Sequence, residues 1–133
     1  MTLRTIIIIE DDPAHARIVE RMLSRLGLQN PLLRCASGNE ALQLLESLAK
    51  DNSTNFASQY VLLIDINLPG LNGFQVMEKL DSNSVLRFIP RIIISTSDEP
   101  LDISRSKDFA HLAYLIKPLD YARIVELIKE LDA

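Results

Sequence analysis

Cysteine is nearly absent: Cys35 is the single one among 133 residues. An internal disulfide is therefore excluded, and a reducing cytoplasm is the expected setting. Because it follows an apolar strand pattern, Cys35 reads as a buried structural thiol and not as a nucleophile. Long hydrophobic runs are absent too. No apolar stretch approaches the roughly 18 residues needed to span a bilayer, and Met1-Thr2-Leu3-Arg4 leads straight into a short strand pattern without a secretory leader. Positive charge is in short supply and scattered. Fourteen Lys and Arg face eighteen Asp and Glu, for a net charge of −4 and a pI near 5.1. That balance argues against nucleic acid or an anionic membrane as a partner. There is no repeat and no low-complexity segment. With 47% hydrophobic and 24% charged residues, the chain has the composition of one globular domain with a real core.

What is present is an alternation of short apolar runs with amphipathic segments, the pattern of a βα repeat around a parallel sheet. Strands are expected at Thr5–Ile9, Leu32–Ala36, Tyr60–Ile64, Arg91–Ser95 and Ala113–Ile116. The first helix is expected from Pro13 to about Leu26, with Ile18, Val19, Met22, Leu23 and Leu26 on one face and Gly27 as the stop. A capping box, Ser37 to Glu40, opens a second that buries Leu42, Leu45, Leu48 and Ala49. A third starts near Asn72 and uses Phe74, Met77 and Leu80. The last runs from Asp120 with Tyr121, Ile124, Val125, Ile128 and Leu131 at core spacing. Between strands four and five, Leu101–Ala110 offers only Leu101, Ile103 and Phe109 to a core. Marginal packing is expected there, and weakly packed elements move at low cost. Asp51–Ser58 reads as a polar insertion on the face away from the carboxylates described next.

Asp65 ends the apolar run Tyr60-Val61-Leu62-Leu63-Ile64 and precedes a Pro69-Gly70 turn. In open parallel sheets, chemistry sits just beyond the carboxyl ends of the strands, which is where Asp65 falls. A capping or turn role would explain one such aspartate equally well. The first strand decides between the two. Ile6-Ile7-Ile8-Ile9 runs into Glu10-Asp11-Asp12 and then Pro13. Asp12 has an ordinary task as helix N-cap with Pro13 at the first helical position. Glu10 and Asp11 have none, and like charges this close repel unless a cation lies among them. Mg²⁺, which takes one or two carboxylates plus carbonyl, water and phosphate oxygens, is the expected cofactor. Ser95 ends the fourth strand and Lys117-Pro118 closes the fifth, so acids, a hydroxyl and a lysine should converge on one rim. His15 and His111 have no partner at metal spacing and read as surface histidines; Phe88 and Phe109 read as packing residues.

This set, in order along the whole chain, resembles the receiver domain of two-component response regulators, the CheY-like single-domain type. The resemblance implies a doubly wound five-stranded parallel sheet of flavodoxin-like order 2-1-3-4-5, with helices on both faces. It implies that residues 1–133 are one receiver domain with no output domain. It makes Asp65 the phosphoacceptor, and Glu10 and Asp11 the acidic pair, Asp11 being the more direct Mg²⁺ ligand. Asn67 would lend the metal its backbone carbonyl. Ser95 matches the hydroxyl position, with Thr96 beside it as the alternative contact. Lys117 matches the invariant lysine, Pro118 the cis-proline after it and Tyr114 the aromatic switch. The implied function is acceptance of a phosphoryl group from a histidine kinase or phosphotransfer protein. The output would be a changed surface of the fourth helix, fifth strand and fifth helix, which also offers a homodimer contact. Phytochrome-like histidine kinases are the expected partner class; the sequence names no downstream target.

The rival readings lack a residue each. A phosphatase of the haloacid dehalogenase type needs a general acid two residues after the nucleophile, where this chain has Asn67. A flavin mononucleotide binder of flavodoxin type needs a Ser/Thr/Gly-rich loop after strand one, where Glu10-Asp11-Asp12-Pro13 would repel phosphate. A receiver-like module that only binds protein would have lost an acid or the lysine, and neither is missing. The expectation is therefore a phosphoacceptor with Mg²⁺-dependent self-phosphorylation and dephosphorylation chemistry, and not an enzyme acting on separate substrates.

Overall fold

Four consecutive β-branched residues have stiff side chains suited to a pleated surface, and Thr5–Ile9 forms the central strand β1. The computed structural model describes residues 3–51, 55–96 and 99–133. Around β1 lie β2 (Leu32–Cys35), β3 (Tyr60–Asp65), β4 (Arg91–Ser95) and β5 (Ala113–Ile116), all parallel, in the order β2-β1-β3-β4-β5. Five helices cover the sheet: α1 (Pro13–Arg25), α2 (Gly38–Asp51), α3 (Gly73–Asp81), α4 (Pro100–Ser106) and α5 (Tyr121–Asp132). Two strand ends differ by one residue from expectation. The Ala36 amide turns to Glu40 Oε2 at 3.1 Å instead of continuing β2. Asp65 stays in register with Ile94, so β3 carries it as its last residue.

Side chains alternate across the sheet. Ile7, Ile9, Leu62, Ile64 and Ile93 pack under α2 and α3, while Ile6, Ile8, Leu63, Ile92 and Ile94 pack under α1 and α5. The central strands are therefore buried on both faces, as a parallel sheet requires. Helix α1 buries Ala16, Val19 and Leu23, which corrects the expected face: Ile18 is 50% and Leu26 43% exposed. Helix α5 buries Ile124, Val125, Leu127 and Ile128.

Helix α4 is short, and the one buried residue in it is Ser106, whose hydroxyl bonds back to Ile103 O at 2.6 Å. Leu101 is 80% exposed. One contact of α4 with the body is the guanidinium of Arg105 lying 4.6 Å over the Phe74 ring, with Phe109 stacked on Phe74 at 6.0 Å. The expectation for Asp51–Ser58 partly concerns residues 52–54, which lie outside those described. Elsewhere it is corrected: Phe56–Gln59 forms a 3-10 turn, and Phe56 is buried against Tyr60 with ring centroids 4.9 Å apart. Phe88 is exposed beneath Arg87 and is not a packing residue.

At the sheet edge where the strands begin, Asp132 closes the fold. It accepts from the Arg4 amide at 3.3 Å and from Asn30 Nδ2 at 2.8 Å, and Asn30 also donates to Arg4 O. Arg4 reaches on to the carbonyls of Ala57 and Tyr60. The first strand and last helix are thereby tied together, opposite the end that carries the carboxylates.

Candidate functional site

The carboxyl ends of β1, β3, β4 and β5 bring together the residues singled out above. Asp65 is 5% exposed and Glu10 2%. One oxygen each from Glu10, Asp11 and Asp65 lies within 4.8 Å of the others, with Asp11 the exposed member. Asp65 uses both oxygens: Oδ1 accepts from the Asn67 amide at 2.8 Å, and Oδ2 accepts from Lys117 Nζ at 3.1 Å. Lys117 Nζ also lies 3.7 Å from Glu10 Oε1. The Lys117 amide donates to Ser95 O at 2.7 Å, and the Lys117–Pro118 bond is cis.

Close packing supports this rim from behind. Gly73 opens α3 directly against the end of β3. A Cβ there would sit 2.6 Å from Ile66 Cα and 2.9 Å from Asp65 O, so only glycine lets the helix approach so near. Asn72 caps α3 reciprocally with Gln75. Gly70, with φ of +73°, lies in the turn between β3 and α3.

Burial pushes the Glu10 carboxyl up to about 8; the nearby Asp65 carboxylate adds to this and Lys117 opposes it. Among the described residues, Glu10 Oε2 is buried without a hydrogen-bond partner. An orphaned oxygen on a carboxylate grouped with two others costs stability unless a cation meets it. Hard oxygen donors at this spacing fit a divalent ion such as Mg²⁺.

Ser95 is fully buried and Thr96 exposed, and one side chain addresses both. Asn67 Nδ2 donates to Ser95 Oγ at 3.1 Å and to Thr96 Oγ1 at 3.0 Å. Tyr114 is half-buried on β5, on the face packed against the α2–α3 core.

Two further residues belong to this rim: His15, expected at the surface, and Arg34, to which no role was assigned. His15 is not a surface histidine: its Nδ1 lies 3.0 Å from Glu10 Oε1, and desolvation, with Lys117 nearby, lowers its pKa. The signal was there, since His15 occupies the first turn of α1, which starts three residues after Glu10. Arg34 of β2 donates from Nε to Glu10 O at 3.0 Å and from Nη2 to Asp11 O at 2.9 Å, clamping the acidic loop by its backbone. That contact depends on β2 lying beside β1, which no local pattern encodes. His111 is half-buried and donates to Phe109 O at 2.7 Å.

The family model for the response regulator receiver domain matches residues 6–129. This chain belongs to that family. As a receiver domain, it is a phosphoacceptor component of two-component signalling. It is 33% identical over 128 residues to the probable methanogenesis regulatory protein FilR2 of Methanothrix harundinacea, spanning 94% of this chain and 81% of that one. It is 31% identical over 123 residues to PilH of Pseudomonas aeruginosa, spanning 92% and 93%. The solved bacteriophytochrome response regulator AtBRR superposes on this receiver domain with a TM-score of 0.78 at 27% identity, covering 99% of this chain and 94% of that one. Among the described residues of the receiver domain, no helix is long and apolar enough to cross a membrane.

Proposed function

We propose that residues 1–133 act as one receiver domain that takes a phosphoryl group onto Asp65 from the phosphohistidine of a histidine kinase or phosphotransfer protein. The observation that carries this reading is the carboxylate of Asp65, held by the Asn67 amide on one oxygen and by Lys117 on the other, beside Glu10 and Asp11. A carboxylate oxygen attacks phosphorus in line. The P–O bond forms as the P–N bond breaks; the departing imidazole nitrogen keeps the bonding pair and takes a proton. Glu10, Asp11, Asp65 and the Asn67 carbonyl are the residues that would hold Mg²⁺. When bound, the ion neutralises charge on the transferring group.

Lys117 then offers the phosphoryl oxygens a charge-assisted hydrogen bond, and Ser95 or Thr96 a hydroxyl. Both hydroxyls are engaged by Asn67, so drawing one inward exchanges that bond for a stronger one. Tyr114 turns into the space released, and the surface of α4, β5 and α5 changes. The poor anchoring of α4 supports this choice of surface, which also serves as the proposed homodimer contact. The likeness to AtBRR supports a phytochrome-like kinase as donor, and the lone buried Cys35 supports a cytoplasmic setting.

Intact-mass measurement with acetyl phosphate and Mg²⁺ tests the proposal. Wild type should gain one phosphoryl mass and Asp65→Asn none. Equal uptake by both proteins would remove Asp65 from the chemistry.

A further inference from the structure

His15 makes a contact that its position alone does not require. It is the third residue of α1, after the N-cap Asp12 and the first helical residue Pro13. A side chain at that position ordinarily reaches back to the N-cap amide. Here the imidazole reaches two residues further, to Glu10 Oε1 at 3.0 Å. Lys117 Nζ stands 3.7 Å from the same oxygen and 3.1 Å from Asp65 Oδ2. Glu10 Oε1 thus has two suitors, while Oε2 is buried with no hydrogen-bond partner among the described residues.

From this geometry we infer that His15 is a positioning residue for the cation site, holding Glu10 by one oxygen so that the other stays available to an ion shared with Asp11 and Asp65. The inference rests on the metal reading given under Proposed function. A glutamate side chain has three rotatable bonds, and one without a fixed partner would close on the nearest cation. For Glu10 that cation is Lys117. Such a move would satisfy the carboxylate internally, pull the ammonium from Asp65, and leave fewer oxygens aimed at an incoming ion. His15 reaches the same oxygen from α1 at the shorter distance, 3.0 Å against 3.7 Å for Lys117 Nζ. It therefore keeps Lys117 on Asp65 and Glu10 Oε2 available. Groups of this kind, which orient a ligand without touching the metal, are typically worth about 10–100-fold in metal affinity. The imidazole is half-buried and the carboxylate almost wholly so, which lets little water replace the bond.

The experiment is calorimetric titration of the unphosphorylated full chain with Mg²⁺, repeated with Mn²⁺ and Zn²⁺, on wild type, His15→Leu and His15→Asn. Leucine fills the space without a polar atom. The amide nitrogen of asparagine falls close to where Nδ1 lies. Mg²⁺ and Mn²⁺ should both bind about tenfold more weakly to His15→Leu, with wild-type affinity largely restored in His15→Asn. Melting without metal should be nearly the same in all three, which separates positioning from a role in folding. Unchanged Mg²⁺ affinity in His15→Leu would overturn the inference, as would failure of His15→Asn to restore it. A loss seen with Zn²⁺ and not with Mg²⁺ would make His15 a direct ligand and equally overturn it. Asp11→Asn serves as the reference for the site itself. If its Mg²⁺ binding matches wild type, the metal reading fails, a result distinct from one in which only the His15 variants are silent.

Discussion

Glu10 shows how burial and charge trade against each other at a single residue. Its carboxyl ordinarily titrates at 4.5 and is pushed to about 8 in the fold. Between those values the unfolded chain has released a proton that the folded chain keeps. Unfolding therefore releases a proton, and stability must fall as pH rises through that window. With a chelator present, wild type should lose stability from about pH 4.5 to pH 8 relative to Glu10→Gln, at up to about 1.4 kcal/mol per pH unit. Chemical denaturation at several pH values checks this; parallel curves for the two proteins would mean that Glu10 is solvated in solution. Added Mg²⁺ should reverse the trend, because the ion favours the ionised carboxylate. At this scale the acids were legible because three adjacent carboxylates after four isoleucines have no ordinary use. Arg34 was not, since its partner is set by the neighbouring strand, and His15 was signalled only by its place in the first turn of α1.

Among the elements, strands were read best. Runs such as Ile6–Ile9 and Arg91–Ser95 are short, β-branched and bounded by turn residues, so their limits were plain. Helix faces were harder. In α1, small Ala16 is buried and larger Ile18 is exposed, because spacing, and not size, decides which side meets the sheet. In α2 the Glu40 carboxylate bonds the Ala36 amide and not that of Ser37, so the expected reciprocal box is displaced by one residue on one side. Helix α3 yields a prediction of its own. Gly73→Ala gains up to about 1 kcal/mol of helix propensity, but its methyl meets backbone atoms that cannot swing aside. Overpacking of about 1–3 kcal/mol should win, with a lowered melting temperature and slower phosphorylation as α3 is pushed off Asp65 and Ile66. A variant as stable and as fast as wild type would mean that the β3–α3 junction has slack.

For the whole molecule, the question is how a change at Asp65 reaches a surface. The described contacts run from Asp65 through Asn67 to Ser95 and Thr96, and α4 follows β4 with little apolar anchorage. Amide hydrogen exchange with and without beryllofluoride, a phosphoryl mimic, should therefore change across Leu101–Ile128 and least around Phe56–Gln59. Lys117→Ala should bind the mimic more weakly and show a smaller change at α4 for the same occupancy. Protection confined to the neighbourhood of Asp65 would favour a passive phosphoryl carrier over a switch.

The bonds that join Arg4, Asn30 and Asp132 have a consequence for modular use. Entry to and exit from the fold share one doorstep, at the far side from the chemistry. A host chain could take in residues 4–132 as a loop with almost no gap to bridge, much as a bead is threaded at a single hole. The rim of Asp65 would still face outward, open to any donor.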